Sequence, residues 1–160
     1  MIKKILKKIG KNSIISQKEI ASAAHEKRNA VLKLSSEIIS KNTNKIIEAN
    51  KEDLLLANKA GLKESYIDRL LLDSKRISAI AESLISISTL PDPLSGKITK
   101  WERPNGLIIS KQPTPLGVLG IIYESRPNVT VDAAALCIKS GNSVILRCGS
   151  DSYNSCYILS

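Results

Sequence analysis

The chain has 160 residues, enough for one domain with a real core and too few for two large ones. A hydrophobic fraction of 42% with 24% charged residues excludes a disordered chain, and 3% aromatic residues with no Phe call for a core of Ile, Leu, Val and Ala. The formal net charge of +9 invites a nucleic-acid reading, but Lys3, Lys4, Lys7, Lys8 and Lys11 form a short run without aromatic partners for stacking and read as a solvated helix face.

Between those lysines, Ile2, Ile5, Leu6 and Ile9 recur at helical spacing. They predict a helix docked on the next helix or on a partner subunit, with a membrane-surface helix as the other reading. Ser16-Gln17-Lys18-Glu19 has the form of a capping box, with Ile15 and Ile20 at the staple positions. It predicts a second helix from Ser16 to about Lys41, with Ile20, Ala23, Ala24, Val31, Leu34 and Ile38 on one face. A third helix is expected from Asn42 or Thr43 to about Ala60, closed by a left-handed Gly61, and a short fourth around Ser65 to Leu72. Asp73 is placed to cap a fifth, with Ile77, Ile80, Leu84 and Ile87 inward, and Pro91-Asp92-Pro93 ends the helical half.

The period then changes. Ile98 to Trp101 and Leu107 to Lys111 read as strands joined by an Arg103-Pro104-Asn105-Gly106 turn. Val118 to Tyr123 is a continuous apolar run, as in a buried parallel strand. Val129 to Lys139 reads as a helix with Val131, Ala134, Ala135 and Ile138 inward, closed by Gly141, and Ser143 to Arg147 as a second apolar strand. Strand, helix and strand make a βαβ unit. The expected class is therefore α/β: a helical half followed by the first βαβ unit of an open parallel sheet. The segments are 1–93 helical, 94–114 a hairpin and 115–160 the start of the α/β sheet.

Cys137, Cys148 and Cys156 are too few and too irregularly spaced for a disulfide framework or a zinc site, no metal site is expected, and free thiols suit a reducing cytoplasm. No apolar run approaches the length of a membrane span, and the charged N-terminus lacks the apolar core of a secretory signal. The sole histidine, His25, supports no Ser-His-Asp set and reads as structural.

In open α/β sheets, ligands bind beyond the carboxyl ends of the strands. Tyr123-Glu124-Ser125-Arg126-Pro127-Asn128 and Arg147-Cys148-Gly149-Ser150 occupy those positions, and either is a site or simply a polar loop. No G-x-G-x-x-G follows either strand; Gly117 and Gly120 are read as points of close backbone approach.

The run from Pro115 to Asn142, with Leu-Gly-Val-Leu-Gly-Ile-Ile-Tyr-Glu-Ser-Arg-Pro-Asn-Val at its start and Ser143 to Arg147 after it, closely resembles the signature stretch of the gamma-glutamyl phosphate reductases. Glu48 to Leu54, Ile67 to Ile77 and Trp101 to Gly117 resemble the same family, which lies in the aldehyde dehydrogenase superfamily. The resemblance implies NADPH-dependent reduction of L-glutamate 5-phosphate to glutamate 5-semialdehyde in proline synthesis, through a cysteine thioester. It implies that Asn128 stabilises the oxyanion, that Arg147 binds the adenosine ribose of NADPH, and that Ser150 lies near its 2′-phosphate. It also implies that the hairpin belongs to an oligomerisation element. Cys148 departs from the glycine usual in the family, where a Cβ would crowd the cofactor or forbid a positive φ.

The family's nucleophilic Cys lies downstream of Ser160. The isolated chain is therefore expected to be inactive, and its two apolar strands, with unpaired edges, to favour aggregation, a complementing C-terminal chain or a homo-oligomer. The alternatives are a non-catalytic nucleotide-binding or interaction remnant of that family, or a basic helical protein for nucleic acid or membrane.

Overall fold

Pro91 and Pro93 cannot donate backbone hydrogen bonds and hold the residues before them extended, so the helical part of the chain ends there. The computed structural model describes residues 2–96 and 99–160. Five helices come first: α1 (Ile2–Ser22), α2 (His25–Lys41), α3 (Thr43–Lys59), α4 (Glu64–Leu70) and α5 (Ser74–Thr89). An antiparallel hairpin, β1 (Thr99–Glu102) and β2 (Ile108–Lys111), follows. Then come β3 (Val118–Ile122), α6 (Pro127–Lys139) and β4 (Ser143–Arg147), with β3 and β4 parallel and Val118 opposite Ser143. A 3-10 turn at Ser150–Ser152 leads into α7 (Tyr153–Ile158). This is the expected α/β class, a helical part followed by one βαβ unit.

Local chemistry explains the best-defined helices. Asp73 caps α5 by accepting from the Arg76 amide at 2.7 Å, and Ile77, Ile80, Ala81 and Leu84 then fall on one buried face. Leu32 and Ile39 of α2 and Val131 and Ala135 of α6 close on that face to form the core. Each fully buried Leu or Ile contributes about 2 kcal/mol. Helices α3 and α6 both end in Schellman geometry. Gly61 (φ 68°) and Gly141 (φ 74°) take the left-handed position, and the next amides, of Leu62 and Asn142, reach back to Ala57 O at 3.1 Å and Cys137 O at 2.8 Å.

Several expectations are corrected. Helix α1 runs through the supposed capping box, so Ser16 lies inside it and the break falls at Ala23-Ala24. A box needs free amides at a helix start, and here the preceding turn already occupies them. Helix α2 buries Leu32 and Ile39 with Arg28 and Ser36, while Val31, Leu34 and Ile38 face outward. The apolar stripe misled because the polar members of the true inner face are satisfied: Ser36 Oγ donates to Ala81 O at 2.7 Å. Ile2, Ile5 and Leu6 are exposed and do not dock on the next helix. Strand β3 is not buried, since Val118 and Ile122 are exposed and β4 is its one neighbour among the described residues. A Cβ at Gly117 or Gly120 would meet nothing within 4 Å, so close approach does not explain them; Gly117 instead adopts φ 119°. The expected strand start at Ile98 lies outside the described residues.

Buried polar ties lock the helical part together and join it to the elements that follow. Arg28 Nη2 donates to both carboxylate oxygens of Asp92, at 2.9 and 3.0 Å, fixing α2 to the segment after α5. Lys139 at the end of α6 donates to Ser88 O at 2.9 Å and Asn29 Oδ1 at 2.7 Å. Burial pushes the Lys139 ammonium below its usual range, while Asp92 pulls it back up. Asp53 of α3 accepts from the amides of Asn154 (3.1 Å) and Ser155 (2.8 Å) and from the Ser155 hydroxyl (2.6 Å) at the start of α7.

Because Arg28 is buried and Asp92 is its carboxylate partner, Asp92→Asn leaves a buried guanidinium without its counter-charge. The expected cost is about 2 kcal/mol or more, read as a lower urea midpoint at unchanged slope. An unchanged midpoint contradicts the tie.

Candidate functional site

Strands β3 and β4 run parallel, so both deliver their following loops to one edge of the sheet. The ladder extends one residue further, with the Tyr123 amide on Arg147 O at 3.1 Å. Beyond it the first loop turns sharply, with the Arg126 amide on Glu124 O at 2.7 Å, and Pro127 opens α6 at a position where a missing N–H costs nothing. The second loop, Cys148 to Ser152, folds back beside the first.

The two loops are in contact through Ser125 and Gly149. Gly149 has φ −64°, which any residue adopts, so space rather than dihedral freedom selects glycine. A Cβ there would lie 2.2 Å from Ser125 Oγ. Asp151 Oδ2 accepts from Tyr66 OH at 3.1 Å and from Ser125 Oγ at 3.5 Å, tying both loops to α4. Tyr123 OH and Thr130 Oγ1 share a hydrogen bond of 2.7 Å behind the first loop. Burial, helped by the neighbouring Cys156, pushes the Tyr123 phenol up to about 12, so it stays protonated at neutral pH.

The sequence-predicted residues fall into two groups. Arg147 is exposed at the end of β4 with its guanidinium on Cys148 O, and Ser150 is exposed on the same loop. Asn128 sits in the first turn of α6 and makes no hydrogen bond to either. It borders a recess of about 250 Å³ between α4, α5 and α6, lined also by Arg69, Arg76, Ser83 and Asp132. There Asn128 Nδ2 donates to Asp132 Oδ2 at 3.3 Å, and Ser83 Oγ donates to Asp132 Oδ1 at 2.9 Å.

The loop after β4 fits the phosphorylated nucleotide that the resemblance implies. It presents a cation and a hydroxyl outward at a strand end. No non-glycine residue among those described has a positive φ, and the Cys148 thiol faces Cys156 and Ser152 rather than outward. Burial pushes the Cys148 and Cys137 thiols up, so neither carries thiolate at neutral pH. Among the described residues no three His, Cys, Asp or Glu gather as metal ligands, and no helix is long and apolar enough to cross a membrane.

Sequence reasoning missed the residues that hold the loops. Asn50 and Asp53 share the buried face of α3 with Ile46 and Ala57, at the spacing i, i+4, i+7, i+11. That spacing was a readable signal, because two polar residues on an apolar stripe require buried partners. Tyr66 and Asp151 carried no such signal.

Gly149→Ala forces its Cβ against Ser125 Oγ and is expected to destabilise the chain by about 1–3 kcal/mol. Adding Ser125→Ala removes the hydroxyl and recovers most of that loss in a double-mutant cycle of urea midpoints. Strict additivity of the two changes contradicts the contact.

No family model matches the chain. Curated relatives do. A gamma-glutamyl phosphate reductase of Allorhizobium ampelinum is 53% identical over 147 residues, 92% of this chain and 34% of that one. One of a Thermoanaerobacter species is 56% identical over 128 residues, 80% of this chain and 31% of that one. Among solved structures, the gamma-glutamyl phosphate reductase of Thermotoga maritima superposes with a TM-score of 0.89 at 38% identity, over 93% of this chain and 36% of that one. A benzaldehyde dehydrogenase of Corynebacterium glutamicum shares the fold, with a TM-score of 0.69 at 19% identity over 92% of this chain and 29% of that one. The chain spans about a third of the length of the curated relatives it matches.

Proposed function

The chain corresponds over nearly its whole length to the N-terminal part of the gamma-glutamyl phosphate reductases, and from that premise we propose that it supplies the first part of the cofactor site and one wall of the substrate site of such a reductase. The reaction is NADPH-dependent reduction of L-glutamate 5-phosphate to L-glutamate 5-semialdehyde in proline synthesis. The observation that carries the reading is the exposed Arg147 guanidinium at the end of a parallel strand, on a loop braced from behind by Ser125 and Asp151.

In this reading Arg147 hydrogen-bonds the adenosine ribose of NADPH, and Ser150 lies beside its 2′-phosphate. The cofactor, when bound, supplies the hydride. The Asn128 amide, steadied by Asp132, offers its second N–H to the oxygen of the reacting carbonyl. The thiolate that attacks this carbonyl is assigned to a complementing segment, because Cys137 and Cys156 are buried and Cys148 is held protonated. Such a segment also has a seat: β3 and β4 each have one neighbour among the described residues, and Ile122 is 85% exposed. The hairpin of β1 and β2, within 94–114, leaves Trp101 and Ile108 exposed, which suits an oligomerisation element between the helical segment 1–93 and the sheet of 115–160. Three free cysteines suit a cytoplasmic setting.

The test supplies the chain with the C-terminal two thirds of a relative and measures NADPH binding by fluorescence and turnover by loss of NADPH absorbance. Arg147→Ala is expected to weaken NADPH binding about tenfold with a smaller effect on hydride transfer. Asn128→Ala is expected to lower kcat by about 100-fold or more with NADPH affinity unchanged. NADPH affinity indifferent to Arg147, or kcat indifferent to Asn128, overturns the corresponding role. Turnover by the chain alone, abolished by replacing one of its cysteines, overturns the assignment of the thiolate elsewhere.

A further inference from the structure

The recess beside Asn128 has a charge pattern that oxyanion stabilisation does not use. Two guanidiniums, Arg69 from α4 and Arg76 from α5, line the wall formed by the helical part, facing Asn128 and Asp132 of α6. Asp132 is the carboxylate of the lining, and both its oxygens are occupied, one by Ser83 Oγ at 2.9 Å and the other by Asn128 Nδ2 at 3.3 Å. Arg76 is held in place: it pairs with Asp68 Oδ1 at 2.6 Å, which offsets part of its charge, and donates to Leu71 O at 3.2 Å, so its fork is fixed where it lines the recess. Arg69 is paired only loosely, 3.8 Å from an exposed Glu124 that also meets Arg126 at 3.6 Å. An ion pair of that kind contributes little, so a stronger anion displaces it readily.

Resting on the reading above, we propose that this recess is an anion seat in which Arg69 and Arg76 receive the phosphate of the acyl phosphate whose carbonyl oxygen lies at Asn128. The chemistry requires that proximity. In an acyl phosphate the phosphate oxygen is bonded to the same carbon that carries the carbonyl oxygen. An amide that hydrogen-bonds the carbonyl oxygen therefore has the phosphate within one side chain's reach. When the thiolate attacks, the new C–S bond forms and the C–O bond to phosphorus breaks. Phosphate departs with the electron pair, as an anion that two guanidiniums stabilise. The recess, about 250 Å³, admits a phosphate with part of the acyl chain.

The test uses inorganic phosphate and the full chain at constant ionic strength. Saturating amide and side-chain shifts are expected at Asn128, Ser83 and Arg76, with Arg69→Gln raising Kd about tenfold and Arg69→Lys by less. As a second readout, phosphate protects Arg69 and Arg76 from a dicarbonyl arginine reagent, followed by mass spectrometry. Arg147→Ala leaves phosphate binding unchanged, which separates this seat from the cofactor loop after β4. Shifts confined to the lysines of α1, unaltered Kd in Arg69→Gln, or loss of binding in Arg147→Ala each overturn the seat. If NADPH binding still depends on Arg147 in those cases, the reductase reading survives and the seat alone fails; if neither ligand binds as described, both fail.

Discussion

One buried carboxylate, Asp53, holds the far end of the α/β unit against the helices. Its two oxygens receive the first amides of α7, the Asn154 side chain at 3.0 Å and the Ser155 hydroxyl at 2.6 Å. Hydrogen bonds to a charged acceptor contribute about 1.5–3 kcal/mol each, and a buried carboxylate stripped of them costs more than they give. Asn50, one turn earlier on α3, adds a second layer: its amide donates to Ser155 Oγ and to Leu70 O, and its carbonyl oxygen accepts from the Leu72 amide. A short helix that has little propensity of its own thus becomes an anchor, and Cys156 on it packs beneath the loop that carries Arg147 and Ser150.

The same logic explains how far the sequence could be read. Helices α3 and α5, the hairpin turn, α6 and β4 were legible because their signals are local: Asp73 as a cap, Gly61, Gly106 and Gly141 at positive φ, and apolar runs of the right period. The start of α2 and its buried face were not. The Ser16 box competed with a longer helix, and the inner face of α2 is carried by Arg28 and Ser36, whose partners, Asp92 and Ala81, lie 64 and 45 residues away. Burial of β3 was overestimated because an apolar run reports what a strand is built to face, and not what covers it among the described residues.

For the site, the two post-strand segments were legible from topology, and they meet as that topology requires. Their division of labour was not. Asn128 belongs to a recess whose other wall comes from α4 and α5, far upstream in the chain, so no local motif announces it. The helical part therefore lines the proposed site as well as supporting it: it contributes Arg69 and Arg76 to the recess and Tyr66 to the loops. That arrangement makes the polar ties between the two parts a condition for any ligand site here.

Native-state hydrogen exchange tests that condition most directly. If Asp53 joins the two parts, the Ser155 amide and the Tyr123 amide on Arg147 O exchange with the same free energy as the core amides of α5, and Asp53→Asn lowers the protection of the first two together. If α7 instead exchanges like a frayed terminus in the unaltered chain, and Tyr123 keeps its protection in Asp53→Asn, the anchor is not what holds the site.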